Sequence, residues 1–179
     1  GHASLTVGAK DFVQANAAVT ALVCEQVERW ACSLVRGHAV EFFAGAGTLT
    51  VPLLRAGFHV TAYEGASAVS RAFAEATSPH GEARFHVCDL LSDGRPWPRP
   101  ERAQLLLLDP PRSGAAELMP WVAHSGVPTV ILMSCDVATG LRDLATLQDA
   151  GYRITEVLGY DMFPHTGHQE LLAIAHLGT

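Results

Sequence analysis

The chain has 179 residues, 49% of them hydrophobic, and a formal net charge of −6; one domain with a full apolar core fits that length. A single lysine, Lys10, beside eleven arginines excludes a broad cationic face as the main grip on a nucleic-acid backbone. Cys24, Cys32, Cys88 and Cys135 show no paired spacing, which excludes a zinc site or disulfide framework and points to free thiols in a reducing, cytoplasmic compartment.

Gly1-His2 reads as the remnant of a cleaved tag, with residues 1–10 an N-terminal extension and 11–179 the domain. No signal peptide or membrane-spanning stretch is expected. From Asp11 to Trp30, apolar residues recur at spacings of three, four and seven, which predicts an amphipathic helix capped by Asp11. A regular alternation follows. Apolar runs at Ala39–Phe43, Phe58–Tyr63, Arg84–Val87, Gln104–Leu108 and Thr129–Met133 predict strands. Helical patterns lie between them at Leu49–Ala56, Ser67–Ala76, Ala115–His124 (bent at Pro120) and Val137–Ala150, the last closed by Gly151. Arg95 to Pro100, RPWPRP, reads as a stiff surface loop. Tyr152–Leu158 and Gln169–Leu177 predict two final strands, with no room for a helix between them.

Strand alternating with helix builds an α/β domain: a mostly parallel sheet with helices on both faces. The closing pair should be antiparallel. Seven strands with such an ending predict the Rossmann-like arrangement of class I S-adenosylmethionine-dependent methyltransferases, strand order 3-2-1-4-5-7-6. In an open parallel sheet, ligands bind beyond the carboxyl ends of the strands, and the polar residues of this chain gather there.

Glu41 to Thr48, EFFAGAGT, follows a strand and opens a helix. Gly45 and Gly47 let the backbone approach a ligand or make a tight turn. The third glycine of a dinucleotide fingerprint is replaced by Thr50, which argues for a ligand without a pyrophosphate; S-adenosyl-L-methionine is one. Glu64 ends the second strand, where an acid either accepts from ribose hydroxyls or is merely solvated. Asp89 ends the third, as an acceptor for an adenine amino group or as a turn cap. Asp109-Pro110-Pro111-Arg112 ends four leucines in a rigid turn. Cys135 ends the fifth strand and precedes a helix, whose positive end favours a thiolate. Asp136 beside it is the predicted cap, and its charge opposes that thiolate. Glu170 opens the last strand as a general base or an exposed strand-end charge. His165 and His168 have ligand-like spacing, but no partner acids or cysteines support a metal.

These motifs carry a resemblance. The chain resembles the catalytic domain of the RNA (uracil-5-)-methyltransferases, which make 5-methyluridine in tRNA and rRNA. The likeness rests on DFVQAN (Asp11–Asn16), VEFFAGAGTLT (Val40–Thr50), YEGASAV (Tyr63–Val69), LLLLDPPRSGA (Leu105–Ala115), SCDVATGLRDL (Ser134–Leu144) and DMFPHTGHQE (Asp161–Glu170). It implies S-adenosylmethionine contacts at Gln14, Phe43, Glu64 and Asp109, and at Thr48, where the family commonly has Asn. It places Asp89 near the adenine, Cys135 as the nucleophile, Glu170 as the base and Arg112 beside the target base or its loop. The expected substrate is RNA, with the uracil flipped into a pocket. The chain departs from the family at Asp136, usually Asn, and at Ala44, often Cys. The family's usual RNA-binding and intervening domains do not fit in the ten residues before Asp11. Two further readings stay open: a methyltransferase acting on another base or a small molecule, and a non-catalytic S-adenosylmethionine-binding module.

Overall fold

The computed structural model describes residues 16–92, 102–162 and 169–178. Helix α1 spans Ala17–Cys32 and is followed by β1 (His38–Phe42), α2 (Thr50–Arg55) and β2 (His59–Glu64). A 3₁₀ turn at Ser67–Val69 leads into α3 (Ser70–Thr77), then β3 (Ala83–Val87), β4 (Ala103–Leu108) and α4 (Met119–Ala123). The chain continues through β5 (Thr129–Ser134), α5 (Val137–Asp149), β6 (Tyr152–Tyr160) and β7 (Glu170–Leu177).

The seven strands form one sheet in the order β3-β2-β1-β4-β5-β7-β6, as the element pattern predicts. Strands β1 to β5 pair in parallel, while β7 runs antiparallel to both β5 and β6. The alternation of side chains across a strand explains the two-sided core. In β4, Leu105 and Leu107 pack on one face with Val23, Val27 and Trp30 of α1 and Leu53 of α2. Leu106 and Leu108 pack on the other with Met119 and Val122 of α4 and Leu144 and Leu147 of α5. All four leucines are fully buried, each worth about 2 kcal/mol of transfer free energy. That two-sided burial is why β4 reads as an unbroken apolar run. The edge strand β6 alternates between exposed and half-buried positions instead.

Asn16 caps the described helix α1, with extended backbone and a side-chain oxygen that accepts from the amides of Ala18 and Val19, which satisfies two amides of the first turn; Asp11, the predicted cap, lies outside the described residues. Two predicted elements are corrected. Pro120 does not bend a helix from Ala115 to His124. It sits in the first turn of a five-residue helix, where a missing N–H costs nothing. Helix α3 begins at Ser70, because Ser67–Val69 is wound as a 3₁₀ turn.

The register brings one end of the sheet together. Phe42 pairs with Leu108, and Leu108 with Leu132, so the residues after β1, β4 and β5 lie side by side. Ser134 pairs with Leu171. One step further along that antiparallel ladder sets Glu170 opposite Cys135.

Candidate active site

A cavity of about 700 Å³ opens at this end of the sheet. Its walls come from the loop after β1 (Phe43 to Leu49), the end of β2 with Gly65 and Ala66, and Asp89 to Leu91 after β3. Asp109 to Arg112, Cys135 and Glu170 close the other side. Eleven residues carry the roles predicted from sequence. Ten of them (Phe43, Gly45, Thr48, Glu64, Asp89, Asp109, Arg112, Cys135 and Glu170 on the wall, Gly47 within the loop) are brought together. Gln14 lies outside the described residues, as do His165, His168 and the Arg95–Pro100 loop.

The glycine loop is built from positive-φ residues: Phe43 at 63°, Gly45 at 51° and Gly47 at 87°. A phenylalanine in the left-handed region is strained by about 1 kcal/mol or more and persists only when its surroundings require it. It carries the chain out of β1 and into the cavity wall. Gly47 has a packing reason as well, since a Cβ there would lie 3.0 Å from Thr77 Cγ2 and 3.1 Å from Phe73 Cδ2. Thr50, in the place of the third fingerprint glycine, donates its hydroxyl to the buried Glu41 carboxyl. Burial pushes Glu41 up to about 8, against the opposing effect of that hydroxyl. Sequence reading passed over Glu41; an acid inside the apolar run HAVEF was the available signal.

Glu64 ties two turns together. One carboxylate oxygen accepts from the Gly45 amide at 3.0 Å and the other from the Ala66 amide at 2.8 Å. It therefore holds the glycine loop against the end of β2, with its carboxylate on the cavity wall. Asp89 accepts from the Leu91 amide at 3.1 Å, the turn-cap arrangement, and also lines the cavity.

On the opposite side stand Asp109, Cys135 and Glu170. Burial, then the charges of Glu170 and Glu64, push Asp109 up to about 7. Glu170 is buried, 4% exposed, and its carboxyl is also held above the usual range by desolvation. Among the described residues its Oε2 has no hydrogen-bond partner, although a buried carboxyl oxygen normally requires one. The Cys135 thiol is likewise held above its ordinary value. Burial is the main cause, followed by the charges of Glu170 and Asp109; Arg112 opposes them. Burial and two neighbouring carboxyls thus act against the thiolate that the start of α5 is expected to favour. Asp136 is the cap of α5 as predicted, accepting the Thr139 amide at 2.9 Å. That bond is the main reason its own carboxyl is held low.

Among the described residues, five acids and one cation line the space: Glu41, Glu64, Asp89, Asp109 and Glu170 against Arg112. Such a lining repels a pyrophosphate and suits a ligand with hydroxyls and a positive charge.

No family model matches the chain. It is 38% identical over 175 residues to the 23S rRNA (uracil(1939)-C(5))-methyltransferase RlmD of Pseudomonas entomophila, across 94% of this chain and 38% of that protein. The enzyme of the same name from Aeromonas hydrophila is 37% identical, across 96% of this chain and 40% of its own length. In sequence, this chain is similar to one part of these RNA (uracil-C5)-methyltransferases. It spans about two fifths of the length of the curated relatives it matches. In structure it is similar to the tRNA (uracil-54, C5)-methyltransferase of Pyrococcus abyssi, solved with S-adenosyl-L-homocysteine. The TM-score is 0.74 at 26% identity, covering 93% of this chain and 40% of that one. The sheet is therefore that of the class I methyltransferases.

Proposed function

We propose that the chain is the catalytic domain of an S-adenosylmethionine-dependent enzyme that methylates carbon 5 of a uridine in RNA. The observation that carries the reading is the meeting of Cys135, Glu170 and Asp109 on one wall of a cavity whose other wall is the glycine loop. Names of the relatives point the same way, to uridine 1939 of 23S rRNA or to a tRNA uridine. A cytoplasmic setting goes with it, since the four cysteines are free and no described helix is long and apolar enough to cross a membrane.

The residues present fit the cofactor. Glu64, Asp89 and the loop Phe43 to Thr48 would hold its adenosine part, and the acidic lining suits its cationic centre. When bound, S-adenosylmethionine supplies a methyl group on a sulfonium, electrophilic enough for a carbon nucleophile.

Carbon 5 of uracil is too weak a nucleophile to use that methyl directly. The Cys135 thiolate adds to carbon 6, forming an S–C6 bond and moving the C5=C6 electron pair into an enolate with density at carbon 5. Once carbon 5 is substituted, Glu170 removes its proton, the double bond reforms and the S–C6 bond breaks. A buried carboxylate with an uncommitted oxygen and a raised pKa is suited to take that proton. The thiol is held protonated in the ligand-free site, and a cationic ligand beside it relieves the repulsion from Glu170 and Asp109.

The test is covalent trapping. A 23S rRNA fragment or a tRNA carrying 5-fluorouridine should form a denaturation-resistant complex in the presence of the cofactor, because fluorine at carbon 5 cannot leave as a proton. Peptide mapping should place it on Cys135, and Cys135→Ala should not form it. An adduct that survives Cys135→Ala overturns the assignment. A second reading, an acceptor other than RNA, is favoured by the net charge of −6. Methylation of a uridine-free substrate, undiminished in Cys135→Ser, would establish it in place of the first.

A further inference from the structure

Cys135 and Arg112 face the same cavity from different supports, the junction of β5 with helix α5 and the loop after β4. That loop has little regular structure, yet it carries the cavity's one described cation. Its attachment is a polar cluster that the mechanism above does not use. Asp143 of α5 is 1% exposed. Its Oδ2 accepts the Ala115 amide at 3.0 Å. Its Oδ1 accepts from Arg142 Nε and Nη2 at 2.9 and 2.8 Å. The same Arg142 Nη2 reaches the Ser113 carbonyl at 3.4 Å. The loop is shaped to receive this cluster. Gly114 has φ +75°, and a Cβ there would collide with Arg142 Nη2 and lie 3.0 Å from Asp143 Oδ2. Its amide closes a turn onto the Pro111 carbonyl at 2.7 Å.

We propose that Asp143 is a positioning residue: with Arg142 it clamps the loop Pro111–Ala115 to helix α5 and so fixes the Arg112 guanidinium relative to the Cys135 nucleophile. As a positioning role for that reaction, it rests on the functional reading above. The physical reason is economy of supports. A buried carboxylate is costly unless every oxygen is bonded, and here the bonds span two elements, so neither can shift without breaking them. Cys135 sits between the end of β5 and the Asp136 cap of α5, eight residues before Asp143. The clamp thus makes the cation and the nucleophile move as one body.

The consequence is readable without turnover. The charges bearing on the Cys135 thiol are Glu170 from β7, Asp109 from the end of β4 and Arg112 from the clamped loop. Of these three charges, Arg112 is the one that favours the thiolate, alongside a backbone hydrogen bond. Releasing the loop should therefore slow thiolate reactions at Cys135, although deleting a nearby negative charge would by itself speed them. The experiment is site-resolved alkylation of Cys135 in the intact chain at pH 7.5, read by mass spectrometry. Asp143→Ala should slow it about threefold, the size expected when one partly solvated charge is lost as a neighbour. Arg112→Gln should slow it similarly, and the double variant should be no slower than either single one. Asp143→Asn keeps an acceptor for the Ala115 amide and should stay near the wild-type rate. If Asp143→Ala does not fold, Gly114→Ala pushes the loop off α5 from the other side and should show the same slowing and the same non-additivity. An unchanged or faster rate, or slowing that adds to that of Arg112→Gln, overturns the clamp. Failure of 5-fluorouridine trapping with this alkylation pattern intact would remove the reaction and leave the clamp standing.

Discussion

The Asp136 carboxylate accepts the Thr139 amide at 2.9 Å, while the charges bearing on the adjacent Cys135 thiol are those of Glu170, Asp109 and Arg112. Neighbours in sequence are thus separated in role. Sequence reading set the Asp136 charge against the thiolate; the structure gives that charge to the first turn of α5. Asp136→Asn should then leave the pH midpoint of Cys135 alkylation where it is, since Asn caps as well as Asp. Asp136→Ala should lower the melting temperature by about 2–4 °C through loss of the cap. A downward move of the Cys135 midpoint in Asp136→Asn would restore the simpler picture.

Glu41 makes the domain sensitive to alkali. Its folded-state pKa of about 8 stands above the ordinary carboxyl value of 4.5, so between those values the unfolded chain binds fewer protons than the folded one. Stability contributed by the neutral carboxyl is fully present below about pH 4.5 and is lost as pH rises through about 8. Asp109, pushed up to about 7 from 3.8, acts in the same direction. The ligand-free protein should unfold at lower urea concentration at pH 8 than at pH 5. Glu41→Gln should flatten part of that decline and raise stability at pH 8, by up to a few kcal/mol. Equal slopes in the variant and the parent would show that Glu41 does not titrate as described.

Local pattern made the sheet legible, and long-range geometry hid the state of the site. Leu105 to Leu108 and Leu171 to Ala175 are unbroken apolar runs because β4 and β7 are buried on both faces, and that signal survives in any reading of the chain. Element ends were less legible. Pro120 is a strong local signal, but apolar spacing on either side outvoted it. Cys135 was legible as a candidate from its place between strand and helix. Its raised pKa was not, because the burial that mainly causes it, and the two carboxyls from β4 and β7 that add to it, come about only through the strand order. Phe43 gave no warning of its positive φ, since the residue type argues against it. Asp143 did leave a trace: a charge among the inward positions Gly140, Leu144 and Leu147 of an amphipathic helix signals a buried partner.

Gly47 tests the cofactor side of the cavity. At φ +87°, with Phe73 and Thr77 within 3.1 Å of a Cβ, alanine there meets both backbone strain and side-chain crowding. Gly47→Ala should cost about 1–3 kcal/mol of stability. Because the loop must shift to relieve the clash, S-adenosylhomocysteine binding by calorimetry should weaken tenfold or more. Cys135 alkylation in the ligand-free protein should stay close to the parent's, since the thiol belongs to the opposite wall. Unweakened binding in a folded Gly47→Ala protein would mean that the glycine loop does not hold the cofactor.

Glu170 separates the two halves of the proposed reaction. Its charge is among those holding the Cys135 thiol up, and its Oε2 is a buried acceptor without a partner among the described residues. Glu170→Gln removes the charge and keeps the shape. Alkylation of Cys135 should become faster, by about two- to tenfold if one neighbouring charge of partly buried character is lost. Adduct formation should therefore survive. Release should not, because no other group has been assigned to take the proton from carbon 5, and removing a general base typically costs about 10²–10⁴-fold. With cofactor and an ordinary uridine-containing RNA, no fluorine present, the variant should accumulate a covalent complex through Cys135 that the parent enzyme turns over. Rapid turnover by Glu170→Gln would assign the base elsewhere, with Asp109, raised to about 7 on the same wall, the next residue to substitute.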